Sequence, residues 1–330
     1  MNTCPPVATS TDAATMTVKR RPWIAAGLNL LLPGLGHLYV GRPGLALLLS
    51  LTGFALIVVL YLGALYVALV PWNVVLPFLL LPVVLIGGSV HAALLAKRLG
   101  TNYTLKPYNR WYVYGVLYLI FGVLLFPEIP RALRAHVLEA FRLPSGSMEP
   151  TAQIGDFLYV VKWPREQRRA ALGRIVVFES VEEPGLKVIK RITGMPGDTL
   201  SMRAGELVRN GHPALEPYAV HLDSNRTEDP VQRAKMKVWQ TQHLAASTPE
   251  YAPDLQTWGP VVVPPDSFFA LGDNRDASYD SRYYGFVPFE NIVGTPSVIY
   301  FSFEPRSPEP FLGRVRWRRI GRRLDGATLP

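Results

Sequence analysis

The chain changes character once, near residue 127, and that change limits what it can fold into. From Trp23 to Phe126 it is mostly Leu, Val, Ala, Ile, Gly and aromatic residues; after Arg131 it reads as ordinary soluble sequence. A helix needs roughly 17–25 predominantly apolar residues to cross a bilayer. Three segments qualify, at about 43–62, 72–95 and 111–126. The segment 23–40 is interrupted by Pro33, Gly34 and Gly36 and carries His37. The expected architecture is a multi-span α-helical membrane anchor followed by a mainly β domain.

Charge sets the expected topology. Lys19-Arg20-Arg21 precede the first apolar segment, and Lys97, Arg98, Lys106 and Arg110 make the 97–110 loop basic. Basic flanks stay in the cytoplasm, so an even number of crossings separates the two. This makes 23–40 re-entrant or interfacial, 43–62 and 72–95 the two crossings, and 111–126 the span that delivers the rest of the chain to the outside. The expected domains are a disordered cytoplasmic tail (1–22), a membrane region (23–127) and an exported domain (128–330). Roughly twenty residues separate Phe126 from Ser147, about half of them in an amphipathic stretch Arg131–Phe141 read at a helical rise.

The single cysteine, Cys4, lies in the tail, so the exported part holds no disulfide and no cysteine metal cluster. The net charge is +9, with much of the excess in Arg314–Arg323. Those arginines read as a solvated tail or as a contact with anionic lipid; no recognised binding motif accompanies them, so no nucleic-acid partner is expected. The exported part reads as β-rich, with strands at Asp156–Val161, Arg174–Glu179, Lys187–Ile192, Ser267–Leu271 and Pro296–Ser302, bounded by turns such as Pro196-Gly197-Asp198. The polar region 203–260 lacks strong periodicity and is expected to be a β-rich insertion with long loops.

Two stretches carry chemistry. Pro144-Ser145-Gly146-Ser147-Met148-Glu149-Pro150 offers serine hydroxyls on a proline-bracketed turn, and Lys187-Val188-Ile189-Lys190-Arg191-Ile192 places a lysine in an apolar run. Serines in such a run often only cap a turn. A serine becomes a nucleophile when a base takes its proton, and a lysine is that base only if burial keeps it neutral. Val188 and Ile192 share the face of Lys190, since residues two apart in a strand point the same way. Arg191 cannot act as base, because a guanidinium does not deprotonate. A third stretch, Gly272-Asp273-Asn274-Arg275-Asp276-Ala277-Ser278-Tyr279-Asp280-Ser281-Arg282, follows downstream.

In this order, with Ile154-Gly155-Asp156-Phe157 and Met195-Pro196-Gly197-Asp198 between them, these boxes resemble type I signal peptidase, the bacterial leader peptidase, over roughly residues 130–323. The resemblance implies a membrane-bound Ser/Lys-dyad endopeptidase that removes signal peptides after an Ala-x-Ala-like site. It implies a multi-pass protein of the bacterial cytoplasmic membrane, with the catalytic domain outside and no cofactor or metal. Ser147 is then the nucleophile and Lys190 the general base. Ser145 and the Ser147 N–H bind the oxyanion, and Ser278 orients the lysine amine. Asp280 and Arg282 match a supporting ion pair, Asp273 is expected to pair with Arg191, and Gly272 to permit close backbone approach to the lysine. Gly146 is expected to permit the tight turn. Phe141, Leu143, Pro144, Met148, Ala152, Val188 and Ile189 line small apolar pockets for the substrate. Ala152 and Val188 depart from the leucine and the aromatic residue common at those places.

Other readings are a Ser–Lys protease with a different substrate, a catalytically silent membrane scaffold that binds exported peptides, or a transporter with an accessory domain. The apolar segments carry no midspan charge apart from His37 and His91 near segment ends, which disfavours transport. The chain has no H-E-x-x-H helix, and its serine lies outside any G-x-S-x-G elbow.

Overall fold

The computed structural model describes residues 17–63, 72–101, 103–125, 127–162, 170–222, 228–246 and 250–324. They fall into two compact units, one running up to Arg131 and one from Ala132 on. Most of the tail expected to be disordered, residues 1–16, lies outside the described residues.

The first unit is helical. Strand β1 (Thr17–Val18) precedes α1 (Pro22–Leu31), which breaks at Leu32-Pro33-Gly34 before the short α2 (Leu35–Tyr39). Pro33 has no N–H to continue the helix. Helices α3 (Pro43–Gly63) and α4 (Trp72–Leu99) follow, and β2 (Tyr103–Thr104) returns to pair antiparallel with β1. Helix α5 (Trp111–Leu117) widens into a π-helical stretch over Tyr118–Leu125. Ala25, Leu35, Tyr39, Ala92, Ala96 and Tyr114 form the unit's core. Small Ala residues let α1 and α4 approach closely, as packing within a bilayer favours. Among the described residues, one helix is long and apolar enough to cross a membrane, Leu79–Leu99; Pro43–Val59 and Trp111–Leu125 are apolar but shorter.

The second unit is β-rich. The stretch Arg131–Phe141, read from sequence at helical rise, is divided: α6 (Glu128–His136) ends before Phe141, which lies on β3 (Leu138–Arg142). Then come β4 (Asp156–Val161), β5 (Ile175–Glu179), β6 (Lys187–Gly194), β7 (Thr199–Arg203), β8 (Glu206–Arg209), β9 (His212–Pro213), α7 (Pro230–Thr241), β10 (Trp258–Val262), β11 (Ser267–Leu271), α8 (Ser281–Tyr284), β12 (Val287–Pro288) and β13 (Ile292–Ser302). A seven-stranded antiparallel sheet has the order β12-β11-β6-β5-β13-β4-β3, and a four-stranded one has β10-β7-β8-β9.

Alternation along the strands builds a core on each face of the large sheet. Ile175, Val177 and Ile189 pack with Leu143, Met148, Ala152 and Leu158 on one face; Val176, Phe178 and Ile192 pack with Phe268 and Ala270 on the other. Away from their exposed ends at Glu179 and Lys187, central strands β5 and β6 are thus buried on both sides, and a charged residue there has nowhere wet to go.

The insertion differs from expectation by containing helix α7. Its start is written in the sequence: Asp229 accepts a hydrogen bond from the Val231 N–H, and Pro230 occupies the first helical turn. The arginines of 314–323 also differ from a free tail. Arg314 donates to the Glu304 and Pro305 carbonyls, Arg316 to Gln153, Ile154 O and Glu304, and Arg319 chelates Asp156 and the Thr151 carbonyl.

Candidate active site

Ser147 lies on the turn that follows β3. The Glu149 N–H donates to Gly146 O at 3.1 Å and the Ala152 N–H to Met148 O at 2.9 Å, reversing the chain around the serine. Leu143 exchanges backbone hydrogen bonds with Asp156 (2.9 Å) and Gly155 (3.0 Å), which ties the approach to β4. The left-handed residue here is Gly155 (φ 85°), where a Cβ would sit 2.0 Å from the Phe303 carbonyl oxygen. Gly146, expected to be the permissive turn residue, is not left-handed. From the other side, the Asn274 N–H donates to Ser147 O at 3.2 Å.

Lys190 sits on β6 opposite Val176 of β5. It is 4% exposed and Ser147 is 5% exposed; the Lys190 Nζ to Ser147 Oγ distance is 2.7 Å. Burial lowers the lysine pKa to about 8; Asp280 and Asp273 pull it back up, and the Arg282 cation pushes it down. A substantial fraction of the amine is therefore neutral just above neutral pH, which an exposed lysine never achieves. Ser145 Oγ lies 3.4 Å from Ser147 Oγ, on the same turn.

The charged residues form two buried pairs beside the dyad. Arg191 grips Asp273 with two bonds of 2.7 and 2.6 Å, donates to Gly173 O at 2.7 Å, and stacks 3.7 Å over the Tyr218 ring. Thr151 Oγ1 donates to the same carboxylate at 2.6 Å, fixing the end of the serine turn to the loop after β11. Arg282 grips Asp280 with bonds of 2.8 and 2.9 Å. Burial alone would raise the Asp280 carboxyl; the Arg282 guanidinium outweighs it and holds the group below its ordinary range. Asp280 Oδ2 also accepts from the Gly272 N–H at 3.1 Å. These bidentate pairs set loop geometry rather than exchange protons.

Ser278 and Gly272 lie together beside the serine turn. Ser278 is buried at the site, but its Oγ has no hydrogen-bond partner among the described residues, so it does not hold the Lys190 amine here. At Gly272 an added Cβ would lie 2.2 Å from Ser278 Oγ and 2.4 Å from Ser147 O, so the glycine makes room for the two serines. Of the pocket residues, Leu143, Met148, Ala152 and Ile189 share one core with Phe141 packed against it. Val188 packs into the opposite core because the pleat turns it away from Ile189, and Pro144 is exposed. Sequence reading missed Thr151, Tyr218 and the Arg275–Glu216 pair (2.8 Å). Tyr218 and Glu216 come from the insertion, which carried no periodic signal.

Residues 112–301 match the family described as signal peptidase, peptidase S26. Signal peptidase I of Leptolyngbya laminosa is 35% identical over 176 residues, covering 51% of this chain and 71% of that protein. Signal peptidase I of Pseudomonas aeruginosa is 32% identical over 230 residues (61% and 78%), and that of Bacillus licheniformis 32% over 172 (52% and 81%). The chain belongs to the signal peptidase family S26. It is a serine endopeptidase with signal peptidase I activity. Within this family member, helices α1 to α4 precede the matched residues.

Proposed function

We propose that Ser147 and Lys190 perform this cleavage as nucleophile and general base. The observation that carries the reading is the 2.7 Å contact between two side chains that are both almost wholly buried. Neutral Lys190 takes the Ser147 proton as Oγ attacks the scissile carbonyl. The Ser147 N–H and the Ser145 hydroxyl receive the developing oxyanion, each such donor contributing about 2.7–4 kcal/mol. The lysine ammonium then protonates the leaving amine. Neutral again, it takes a proton from the water that opens the acyl-enzyme. Ser278 fills the space beside Gly272.

Substrate enters as an added strand. In support, among the described residues β3 pairs only with β4, while the pairing of β11 with β6 stops at Arg191, so Lys187–Lys190 keep an open edge. Three strands separate β3 from β6 in the sheet, yet Lys187 Nζ reaches both Glu139 carboxylate oxygens at 2.9 Å. The sheet curls until these two edges face each other, with Phe141, Leu143, Met148, Ala152 and Ile189 beneath. Preproteins with an Ala-x-Ala-like site are the substrates of this reading. In the same reading the chain is multi-pass, with crossings at 43–62, 72–95 and 111–126, a cytoplasmic tail (1–22), a membrane region (23–127), and a catalytic domain (128–330, insertion about 203–260) outside the cytoplasmic membrane. Support comes from the basic 97–110 loop and the Leu79–Leu99 helix.

The test is cleavage of a purified preprotein by full-length protein in detergent, with wild type and Ser147→Ala. A single cut after the Ala-x-Ala site, lost in the variant, is expected. Near-normal cleavage by Ser147→Ala removes that serine from the mechanism.

A further inference from the structure

Among its described residues, the helical unit holds a buried cation with no anion to meet it. Between Lys19 and Arg110 the sequence has eight Lys and Arg residues and no Asp or Glu. The fold gathers them at one end of the unit. Pairing of β1 with β2 brings Lys19-Arg20-Arg21 beside the loop that follows α4, whose last turn carries Lys97 and Arg98. Tyr108 and Asn109 of that loop donate to the Gly41 and Leu38 carbonyls, at 3.4 and 3.2 Å, which brings in Arg42.

Arg20 is at the centre. It is 5% exposed, and its guanidinium carbon lies 4.2 Å from the centre of the Tyr39 ring and 4.5 Å from that of Tyr103. Stacking satisfies the faces of a guanidinium, but its N–H groups lie in the plane. Nε and Nη2 are buried and find no acceptor among the described residues. A buried charge left unpaired is strongly unfavourable, and arginine cannot relieve it by losing its proton.

Tyr39 also lines an apolar cavity of about 430 Å³, together with Ile24, Leu28, Leu31, Tyr114 and Gly115. Ile24, Leu28 and Leu31 lie one above another along a single face of α1. A ligand here meets a cation at one end and a greasy slot at the other. We propose that this end of the helical unit binds one anionic phospholipid, its phosphate against the open N–H edge of Arg20 and an acyl chain along the cavity. A free phosphate matches the cation but leaves the slot empty; a zwitterionic lipid fills the slot but brings a further positive charge to a region that already has eight. The assignment is independent of the dyad, and its cation, Arg20, and the α1 face of its slot precede the residues matched by the family, 112–301.

Native mass spectrometry of the full chain in detergent micelles tests it, with phosphatidylglycerol and phosphatidylcholine of identical acyl chains. Wild type is expected to retain phosphatidylglycerol about tenfold better, a difference of about 1.4 kcal/mol. Arg20→Gln and Gly115→Leu should each remove that preference, and Ser147→Ala should keep it. The Gly115 site has open space around an added Cβ, so this variant fills the cavity without disturbing Arg20; it decides the matter if Arg20→Gln does not fold. Equal retention of the two lipids by wild type, or unchanged preference in Gly115→Leu, overturns the proposal. So does displacement of bound phosphatidylglycerol by millimolar inorganic phosphate, which would make the site one for a free anion.

Discussion

The two units treat buried cations in opposite ways. In the β unit, Arg191, Arg275 and Arg282, and the partly buried Arg319, each meet a carboxylate within hydrogen-bond distance. In the helical unit, Arg20 is buried too and meets two tyrosines but no carboxylate among the described residues. Lys190 is the cation in the β unit that has a serine hydroxyl where the arginines have an acid. The difference teaches what each residue type permits. A lysine without a hydrogen-bonded counter-ion can shed its proton and become a base; an arginine cannot, and must be supplied with an anion from elsewhere.

The comparison breaks first at Lys190. Lys190→Arg keeps the charge and removes the ability to deprotonate, so turnover of a preprotein should fall by about 10²–10⁴-fold, the range that general-base removal spans. Activity within a few-fold of wild type would mean that charge, not proton transfer, is what the position supplies. Next comes a paired arginine. Arg191→Leu leaves Asp273 buried with Thr151 as its remaining side-chain partner; breaking such a pair costs about 3–5 kcal/mol. Denaturant melts read this directly, and an unchanged midpoint would show that the pair contributes little. A smaller effect of the opposite sign belongs to Lys190 itself. Its folded pKa, about 8, lies below the ordinary lysine value of 10.5, so the unfolded chain binds more protons between these values and stability rises with pH across that window. Lys190→Met should therefore melt at or above the wild-type temperature near pH 7 and lose the rise. The smallest effect sharpens the contrast between buried and exposed pairs: Lys235→Ala, which removes a largely exposed ion pair to Glu182, should shift stability by less than about 1 kcal/mol.

Much of this was legible in the sequence, for physical reasons. The strands at 156–161, 187–192 and 267–271 are short β-branched or aromatic runs, and the structure places strands there. The Ser147 and Lys190 boxes stood out because a lysine among β-branched residues in a central strand has no wet face. Long-range pairing was not legible: nothing local announces that Arg319 folds back on Asp156, 163 positions earlier, so the basic tail looked free. Helix α7 was overlooked although Asp229-Pro230 marks its start, because the surrounding insertion is polar and weakly periodic. Arg20 read as one of three topogenic charges; its burial depends on Tyr39 and Tyr103, which only the β1–β2 pairing brings to it.

The most direct test of the Ser147–Lys190 account is the pH dependence of kcat/KM on a peptide carrying the cleavage site. Only the neutral amine can accept the serine proton, so kcat/KM should climb about tenfold per pH unit below the lysine pKa and level off above about 8. A profile that stays flat between pH 6 and 9 would contradict a lysine base.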